Sequence, residues 1–258
     1  MKNFLSGRAN KIALALIIFF LPIIIIAASN IKDSVHVSHI AGAVLSILYL
    51  LIIKKQGNTE KLTHIRNTSG LFMIFAIVIS AGLTLLPLLL LSKIGAEIEF
   101  EKELGVTAVI SGCIVAPIVE ELFFRYVLSE LWFHEIDESR KEWIKLTVIG
   151  SLMWSLSHLN YLGSNVAMGI FIFFNGLLLY YILFRTRNII YTIIIHAVNN
   201  LLTTILLPLT WNSIVKATGN NAVFIVITVL LTAAFVFCFY RISKNNTSDK
   251  KLETADNI

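Results

Sequence analysis

The feature that most constrains this sequence is a series of apolar runs, each about as long as a membrane-spanning helix. A span needs about 20 mostly apolar residues, because its backbone groups must pair within the helix where no water is present. The composition agrees, with 57% hydrophobic and 14% charged residues. The sequence predicts an all-α polytopic membrane protein of eight spans: Ile12–Ala28, His36–Ile53, Ser69–Leu91, Val106–Phe133, Leu146–Leu162, Val166–Phe184, Ile189–Leu209 and Ala222–Tyr240.

The basic residues predict the orientation of these spans. With both termini in the cytoplasm, inside segments hold 16 of the 21 Lys and Arg residues and outside segments hold four, as the positive-inside rule requires. The pI near 9.2 therefore describes loops and gives no sign of a nucleic-acid partner. A multi-pass protein of the plasma membrane is expected, with its first apolar run retained because that run exceeds the usual length of a signal core. The inside residues are Lys2, Arg8, Lys11, Lys54, Lys55, Lys61, Arg66, Arg140, Lys141, Lys145, Arg185, Arg187, Arg241, Lys244, Lys250 and Lys251.

Three of the predicted spans contain ionisable side chains far from the membrane edges. A charge at mid-membrane depth costs several kcal/mol or more, so such groups usually face a bundle interior or a water-filled cavity and mark a functional site. The stretch VEELFFRYVL of the fourth span is the most polar of them. The candidate site residues are Glu120, Glu121 and Arg125 in the fourth span, His158 in the fifth, and His196 with Asn200 in the seventh.

These groups are expected to meet at one depth. At 1.5 Å per residue, Glu120 lies ~20 Å, His158 ~18 Å and the seventh-span pair ~10–16 Å from the inner end of their spans. Glu121 and Arg125 are separated by four residues and can therefore pair on one helix face, whereas Glu120 is rotated about 100° away. The same spacing lets Trp154 pack beside His158. Pro117 is expected to loosen the helix just before Glu120.

The residue types suit hydrolysis by an activated water. A buried carboxylate is a good general base, a histidine on a neighbouring helix can hold the water, and a second histidine with an amide can stabilise a carbonyl oxygen as it gains charge. Zn²⁺ bound by Glu120, His158 and His196 would do similar work as a Lewis acid, although the HExxH motif that favours zinc is absent. Both forms of the site stay open at this point. Asn175 in the sixth span could contact the site, but packing beside Gly176 is the favoured expectation.

Three short motifs resemble those of the CAAX-protease and bacteriocin-processing family of intramembrane proteases, also called Abi. EELFFR (Glu120–Arg125) resembles its EExxxR motif, Trp154–His158 its FxxxH motif, and His196–Asn200 its HxxxN motif. The order matches, and each motif falls on its own span. Trp154 replaces the usual Phe, which keeps an aromatic ring. The resemblance covers about residues 105–205.

The resemblance implies an eight-helix intramembrane endopeptidase that opens toward the cytoplasm. It implies Glu120 as the base that activates water, His158 as the residue that positions this water or binds a metal, and His196 with Asn200 as the oxyanion-stabilising pair. Glu121 and Arg125 would support the site, with Glu121 also open to a share in catalysis. The expected domains are three N-terminal spans (1–104), the catalytic core (105–209), a C-terminal span (210–242) and a disordered cytoplasmic tail (243–258).

The resemblance also limits the partners and leaves alternatives. The substrate would be a membrane-embedded or lipidated peptide, either a prenylated protein or a bacteriocin or signal-type peptide. A non-catalytic immunity or binding protein would keep the motifs for stability alone. A proton-coupled transporter also uses intramembrane Glu and His, but here the polar groups cluster at one level and trace no path across.

Overall fold

The structure is a computed structural model that describes residues 7–28, 35–55, 70–95, 105–133, 139–158 and 166–219, with helical residues at 223–226, 229–230 and 233. This part of the chain forms seven helices and no strand, which confirms the all-α class. The helices are α1 (Arg8–Ala28), α2 (Val35–Lys55), α3 (Gly70–Lys93), α4 (Val106–Ile110 through Leu128–Phe133), α5 (Arg140–Ser157), α6 (Val166–Thr186) and α7 (Ile189–Leu201 through Leu207–Thr218).

Several of these helices are suited to a membrane. Within the described residues, four have the length and composition needed to cross one, and a shorter apolar helix covers Ile40–Lys54. The chain is therefore an integral membrane protein with several passes. The four are Arg8–Ile25, Gly70–Lys93, Gly169–Thr186 and Ile189–Thr218.

Two helices differ from their predicted spans, and the eighth span cannot be compared. Helix α5 begins at Arg140 rather than Leu146, because Ser139 accepts a hydrogen bond from the Glu142 amide and caps the helix. It ends at Ser157, so that His158 lies at its C-terminus and not inside it. Helix α7 continues past the predicted end at Leu209 to Thr218. The predicted span Ala222–Tyr240 falls largely outside the described residues.

Helix α4 contains two π-helical segments, Ser111–Val115 and Leu122–Val127. The first comes directly before Ala116–Glu121, the segment that holds Pro117 near its start. Proline has no amide hydrogen and crowds the carbonyl four residues earlier, so a wider turn relieves the helix there. The loosening predicted before Glu120 is therefore present, as a π-helical turn.

Contacts at the helix ends support the predicted alternation of direction. Arg8 at the start of α1 lies 3.1 Å from Glu142 at the start of α5, and Lys54 at the end of α2 pairs with Glu130 at the end of α4. Arg187, just after α6, stacks over Trp143 near the start of α5. We call this the basic end of the bundle, defined by Arg8, Lys54, Lys145 and Arg187. Its placement in the cytoplasm remains a prediction.

Helix α4 lies at the centre of the helices that surround the site. On one side Phe19 of α1 stacks on Phe123, with ring centroids 3.9 Å apart. On the other side Gly150 of α5 leaves room for Tyr180 of α6, whose hydroxyl donates to the Phe124 carbonyl. Small residues of this kind let membrane helices approach closely. Tyr180 of α6 therefore contacts both α5 and α4, close to Arg125.

Helix α3 joins the bundle through a chain of buried hydrogen bonds. The Ser80 hydroxyl donates to Asn175 Oδ1 at 2.8 Å, and Asn175 Nδ2 donates to Thr84 Oγ1 at 3.4 Å. Thr84 in turn donates to Asn199 Oδ1 of α7 at 2.8 Å. Asn175 therefore links α6 to α3, and its neighbour Gly176 is the one that packs, against Ser151. Asn175 is buried, and its amide in addition has two hydrogen-bond partners on α3, which the sequence did not predict.

The close approach at Gly150 gives a stability prediction. A methyl group at this position would overlap the Tyr180 phenol and push its hydroxyl away from Phe124. We expect Gly150→Ala to lower the free energy of unfolding by about 1–3 kcal/mol, the usual effect of overpacking. Thermal unfolding in detergent micelles, followed by circular dichroism, measures this. Gly70→Ala is the control, because nothing lies within 4 Å of an added Cβ there. Equal melting temperatures for the two variants would contradict the prediction.

Candidate active site

The two adjacent glutamates lie in different surroundings. Glu121 is completely buried, and its Oε1 lies 3.1 Å from Nη1 of Arg125, which is also completely buried. The pairing predicted from the four-residue spacing is present. The Glu120 side chain is 13% exposed, and the nearby His158 side chain is 20% exposed. A helix rotates by about 100° per residue, so one glutamate faces the packed interior and the other the accessible part of the site.

His196 joins the buried pair. Its Nδ1 lies 2.9 Å from Glu121 Oε1, and its side chain is only 5% exposed. A carboxylate only accepts hydrogen bonds, so we assign the proton of the neutral imidazole to Nδ1. Nε2 then accepts in the neutral form and donates only when the ring is doubly protonated. Glu121, Arg125 and His196 form the buried triad of the site.

Aromatic rings enclose the guanidinium of Arg125. Its Cζ lies 4.3 Å from the centre of the Trp154 ring and 5.2 Å from that of Tyr180. Cations are attracted to aromatic faces, most strongly where water is absent. The rings and Glu121 therefore replace part of the hydration that Arg125 loses on burial.

Glu120 contacts helix α5 at two points. Its Oε2 accepts a hydrogen bond from the Trp154 indole at 2.5 Å and lies 3.6 Å from His158 Nε2. The second distance is slightly too long for a direct hydrogen bond, but one water beside the pair can contact both atoms. Glu120 and His158 thus meet, as predicted, although they come from helices with separate places in the chain.

The orientation of His158 follows from the end of α5. Its Nδ1 lies 2.8 Å from the Trp154 carbonyl oxygen, which only accepts, so this nitrogen carries the proton of the neutral ring. Nε2 is then a hydrogen-bond acceptor and is the atom nearest Glu120. The Trp154 ring packs edge-on against both histidines, with centroids 5.3 Å from His158 and 5.2 Å from His196. The predicted packing of Trp154 beside His158 is therefore present.

Asn200 reaches a different part of α4. Its Nδ2 donates to the Gly112 carbonyl at 2.8 Å, about two turns before Glu120. The π-helical segment frees this carbonyl, because the Ala116 amide bonds to Ser111 instead. An amide group carries two N–H bonds, and this contact uses one. The structure thus unites Glu120, Glu121, Arg125 and both histidines, while Asn200 holds the helix that carries the glutamates.

Sequence reasoning missed two features of the site. The first is the pair of carbonyls freed by the π-helical segments. One accepts from Asn200, and the other, at Phe124, accepts from Tyr180 because the Leu128 amide bonds to Phe123. The second is the Trp154 indole hydrogen bond to Glu120, since the sequence predicted only packing for this ring. Pro117 was a signal for the first π-helical segment, but no residue pattern marked the second.

The donor set gives limited support to a metal. Among the described residues, no group of three His, Cys, Asp or Glu side chains is arranged to hold an ion. His196 Nδ1 is directed to Glu121, and Glu120 Oε2 already accepts from Trp154. The Nδ1 contacts of both histidines leave Nε2 as an acceptor, as in metal-binding histidines, so they do not exclude the predicted set of Glu120, His158 and His196. The presence of zinc remains a prediction.

The buried ion pair gives a second prediction. Arg125→Met would leave Glu121 charged and buried without its cation, which typically costs about 3–5 kcal/mol. We expect a large fall in melting temperature in detergent for this variant. Glu121→Gln combined with Arg125→Met should regain a large part of the loss, because both charges are then absent. Arg140→Met, an exposed position on α5, is the control and should melt like the wild type. A double variant no more stable than Arg125→Met would contradict this account of the pair.

Part of this chain matches a known protein family. Residues 102–202 match a family described as type II CAAX prenyl endopeptidase Rce1-like. No curated protein and no solved structure matches the chain. The matched segment contains both glutamates, Arg125, both histidines and Asn200. The resemblance predicted from the three motifs is thereby confirmed, and the likeness of this chain to the Rce1-like type II CAAX prenyl endopeptidases extends over residues 102–202.

Proposed function

We propose that this chain is an intramembrane endopeptidase that hydrolyses a peptide bond of a membrane-associated substrate with a water activated by Glu120. The observation that carries the proposal is the Glu120–His158 pair, two acceptors 3.6 Å apart and both partly exposed. A water that contacts both atoms from beside the pair donates both of its hydrogens, one to the carboxylate and one to Nε2. Its lone pairs then point away from both partners, toward a bound carbonyl carbon.

The reaction follows general acid–base chemistry. The water oxygen bonds to the carbonyl carbon as one of its protons passes to Glu120, and a tetrahedral oxyanion forms. The C–N bond then breaks, and Glu120 returns the proton to the leaving nitrogen. The products are a new carboxyl terminus and a new amino terminus, and Glu120 is restored to its ionised form.

The oxyanion needs hydrogen-bond donors placed in advance. We assign this role to the second N–H of Asn200 and to His196, as the family resemblance suggests. Glu121 and Arg125 act through His196 and through the position of α4, since both are fully buried and out of reach of a substrate. Glu121 therefore supports the site and does not take the proton from water.

The substrate class follows from the resemblance and from the membrane setting. We infer a lipidated or membrane-embedded peptide, with a prenylated carboxyl-terminal motif favoured over a bacteriocin or signal-type peptide, because the matching family is described as a prenyl endopeptidase. We also infer that the basic end faces the cytoplasm of a plasma-membrane protein. A non-catalytic immunity or binding protein is the second candidate. The fully buried Glu121–Arg125 pair is the observation that favours it, because such a pair can stabilise the fold without any role in catalysis.

A cleavage assay separates the two candidates. Wild type and Glu120→Gln are reconstituted in liposomes with three peptides: a farnesylated carboxyl-terminal peptide, the same peptide without its lipid, and a leader-type peptide. We expect wild type to cleave the farnesylated peptide in H₂¹⁸O with one ¹⁸O atom in the new carboxylate, as mass spectrometry reads it. The cleavage rate of Glu120→Gln should be lower by about a thousandfold or more, because glutamine cannot accept the proton and no longer orients the attacking water.

Controls define each outcome of this assay. Glu142→Gln, a glutamate at the basic end, should cleave like the wild type. A parallel series with chelator tests the zinc prediction. Loss of activity in chelator, with recovery when Zn²⁺ is added back, would support zinc. Equal cleavage by Glu120→Gln and wild type would remove Glu120 from the base role. Absence of cleavage by wild type, with the host phenotype retained in Glu120→Gln, would favour the binding protein.

A further inference from the structure

The indole of Trp154 occupies the centre of the candidate site. Its N–H donates to Glu120 Oε2 at 2.5 Å, while its backbone carbonyl lies 2.8 Å from His158 Nδ1. Its ring face lies under the Arg125 guanidinium, and its edge meets His196. One residue thus contacts both partly exposed groups, Glu120 and His158, and also Arg125 and His196 of the buried triad.

A phenylalanine at this position could make only some of these contacts. It would keep the ring over Arg125 and the backbone carbonyl to His158, but it has no hydrogen to donate to Glu120. The usual aromatic residue of the matching motif is Phe, so this hydrogen bond comes from the tryptophan of this chain. Only 4% of the Trp154 residue is exposed, so water competes little for the indole N–H.

We propose that Trp154 is a positioning residue for Glu120 in the hydrolysis described above. The indole is a donor and cannot accept, so it can bond only to the carboxylate acceptor and not to the proton that Glu120 takes from water. By holding Oε2, it fixes the carboxylate plane and keeps Oε2 facing His158 Nε2 across the 3.6 Å gap. The remaining lone pairs of the carboxylate then meet the water in one orientation.

The proposal predicts a defect in the chemical step and not in substrate binding. Hydrogen bonds to charged groups contribute more than neutral ones, and small displacements of catalytic groups have large effects on rate. Removal of the indole N–H should therefore lower kcat on the order of tenfold or more and leave KM within about twofold. A general loss of folding would instead lower the active fraction and the melting temperature together.

Two replacements at position 154 test this in the full-length protein. Trp154→Phe removes the donor and part of the ring. Replacement of Trp154 by 3-benzothienylalanine keeps the bicyclic shape and exchanges only the N–H for sulfur, so it remains informative if the phenylalanine variant does not fold. The same two replacements at Trp143 are the control, because that buried indole has no hydrogen-bond partner in the described structure. We expect the fall in kcat for both replacements at 154 and for neither at 143.

A spectroscopic measurement tests the contact without any turnover. Ultraviolet resonance Raman bands of indole report the strength of N–H hydrogen bonding, and subtraction of the Trp154→Phe spectrum isolates Trp154 among the four tryptophans. We expect a strongly bonded indole in wild type that becomes weakly bonded in Glu120→Ala. A weakly bonded indole in wild type would overturn the proposal.

The proposal rests on the hydrolytic function, and its failure can be told apart from the failure of that function. If wild type hydrolyses the substrate and both position-154 replacements keep the wild-type kcat, then the role of Trp154 is wrong and the peptidase stands. If wild type hydrolyses nothing, the peptidase proposal fails, and the positioning role with it. The Raman comparison then still decides whether the indole binds Glu120.

Discussion

The buried ion pair between Glu121 and Arg125 is the interaction on which the arrangement of this bundle depends. Both side chains are fully removed from solvent, and an ion inside a membrane protein is tolerated only when other groups replace its hydration. Trp154 and Tyr180 cover the guanidinium, and His196 bonds to the carboxylate. These partners come from α5, α6 and α7, so a pair formed within α4 determines where three other helices meet it.

That constraint separates the roles of the two adjacent glutamates. Because one is committed to the buried triad, its neighbour is turned toward the accessible part of the site, where His158 and the Trp154 indole meet it. The π-helical segments of α4 assist, since each releases a backbone carbonyl that a side chain from another helix binds. Asn200 binds one at Gly112, and Tyr180 binds the other at Phe124. The polar groups that support catalysis in our proposal are thus also those that join the helices.

The sequence predicted the helices and the residues of the site better than it predicted their detailed contacts. Apolar runs and the i, i+4 spacing are local properties, so the all-α class and the Glu121–Arg125 pair could be inferred from them. The segment Leu122–Val127 could not, because a π-helical turn without proline depends on the Tyr180 hydroxyl that arrives from another helix. The donor role of Trp154 was missed for a related reason, since spacing places the ring but not the direction of its N–H. At the end of α5, the His158 ring binds the Trp154 carbonyl oxygen, a side-chain contact that an apolar pattern does not predict.

The division between the two glutamates is tested most directly by the melting temperatures of two matched variants, Glu120→Gln and Glu121→Gln, in the same detergent. The glutamine at 120 can still accept the indole hydrogen bond, so the free energy of unfolding of this variant should lie within about 1 kcal/mol of the wild-type value. The glutamine at 121 leaves Arg125 buried without a counter-charge and should lose about 3 kcal/mol or more. Equal destabilisation of both variants, or a larger loss from Glu120→Gln, would contradict the assignment of one glutamate to folding and the other to water.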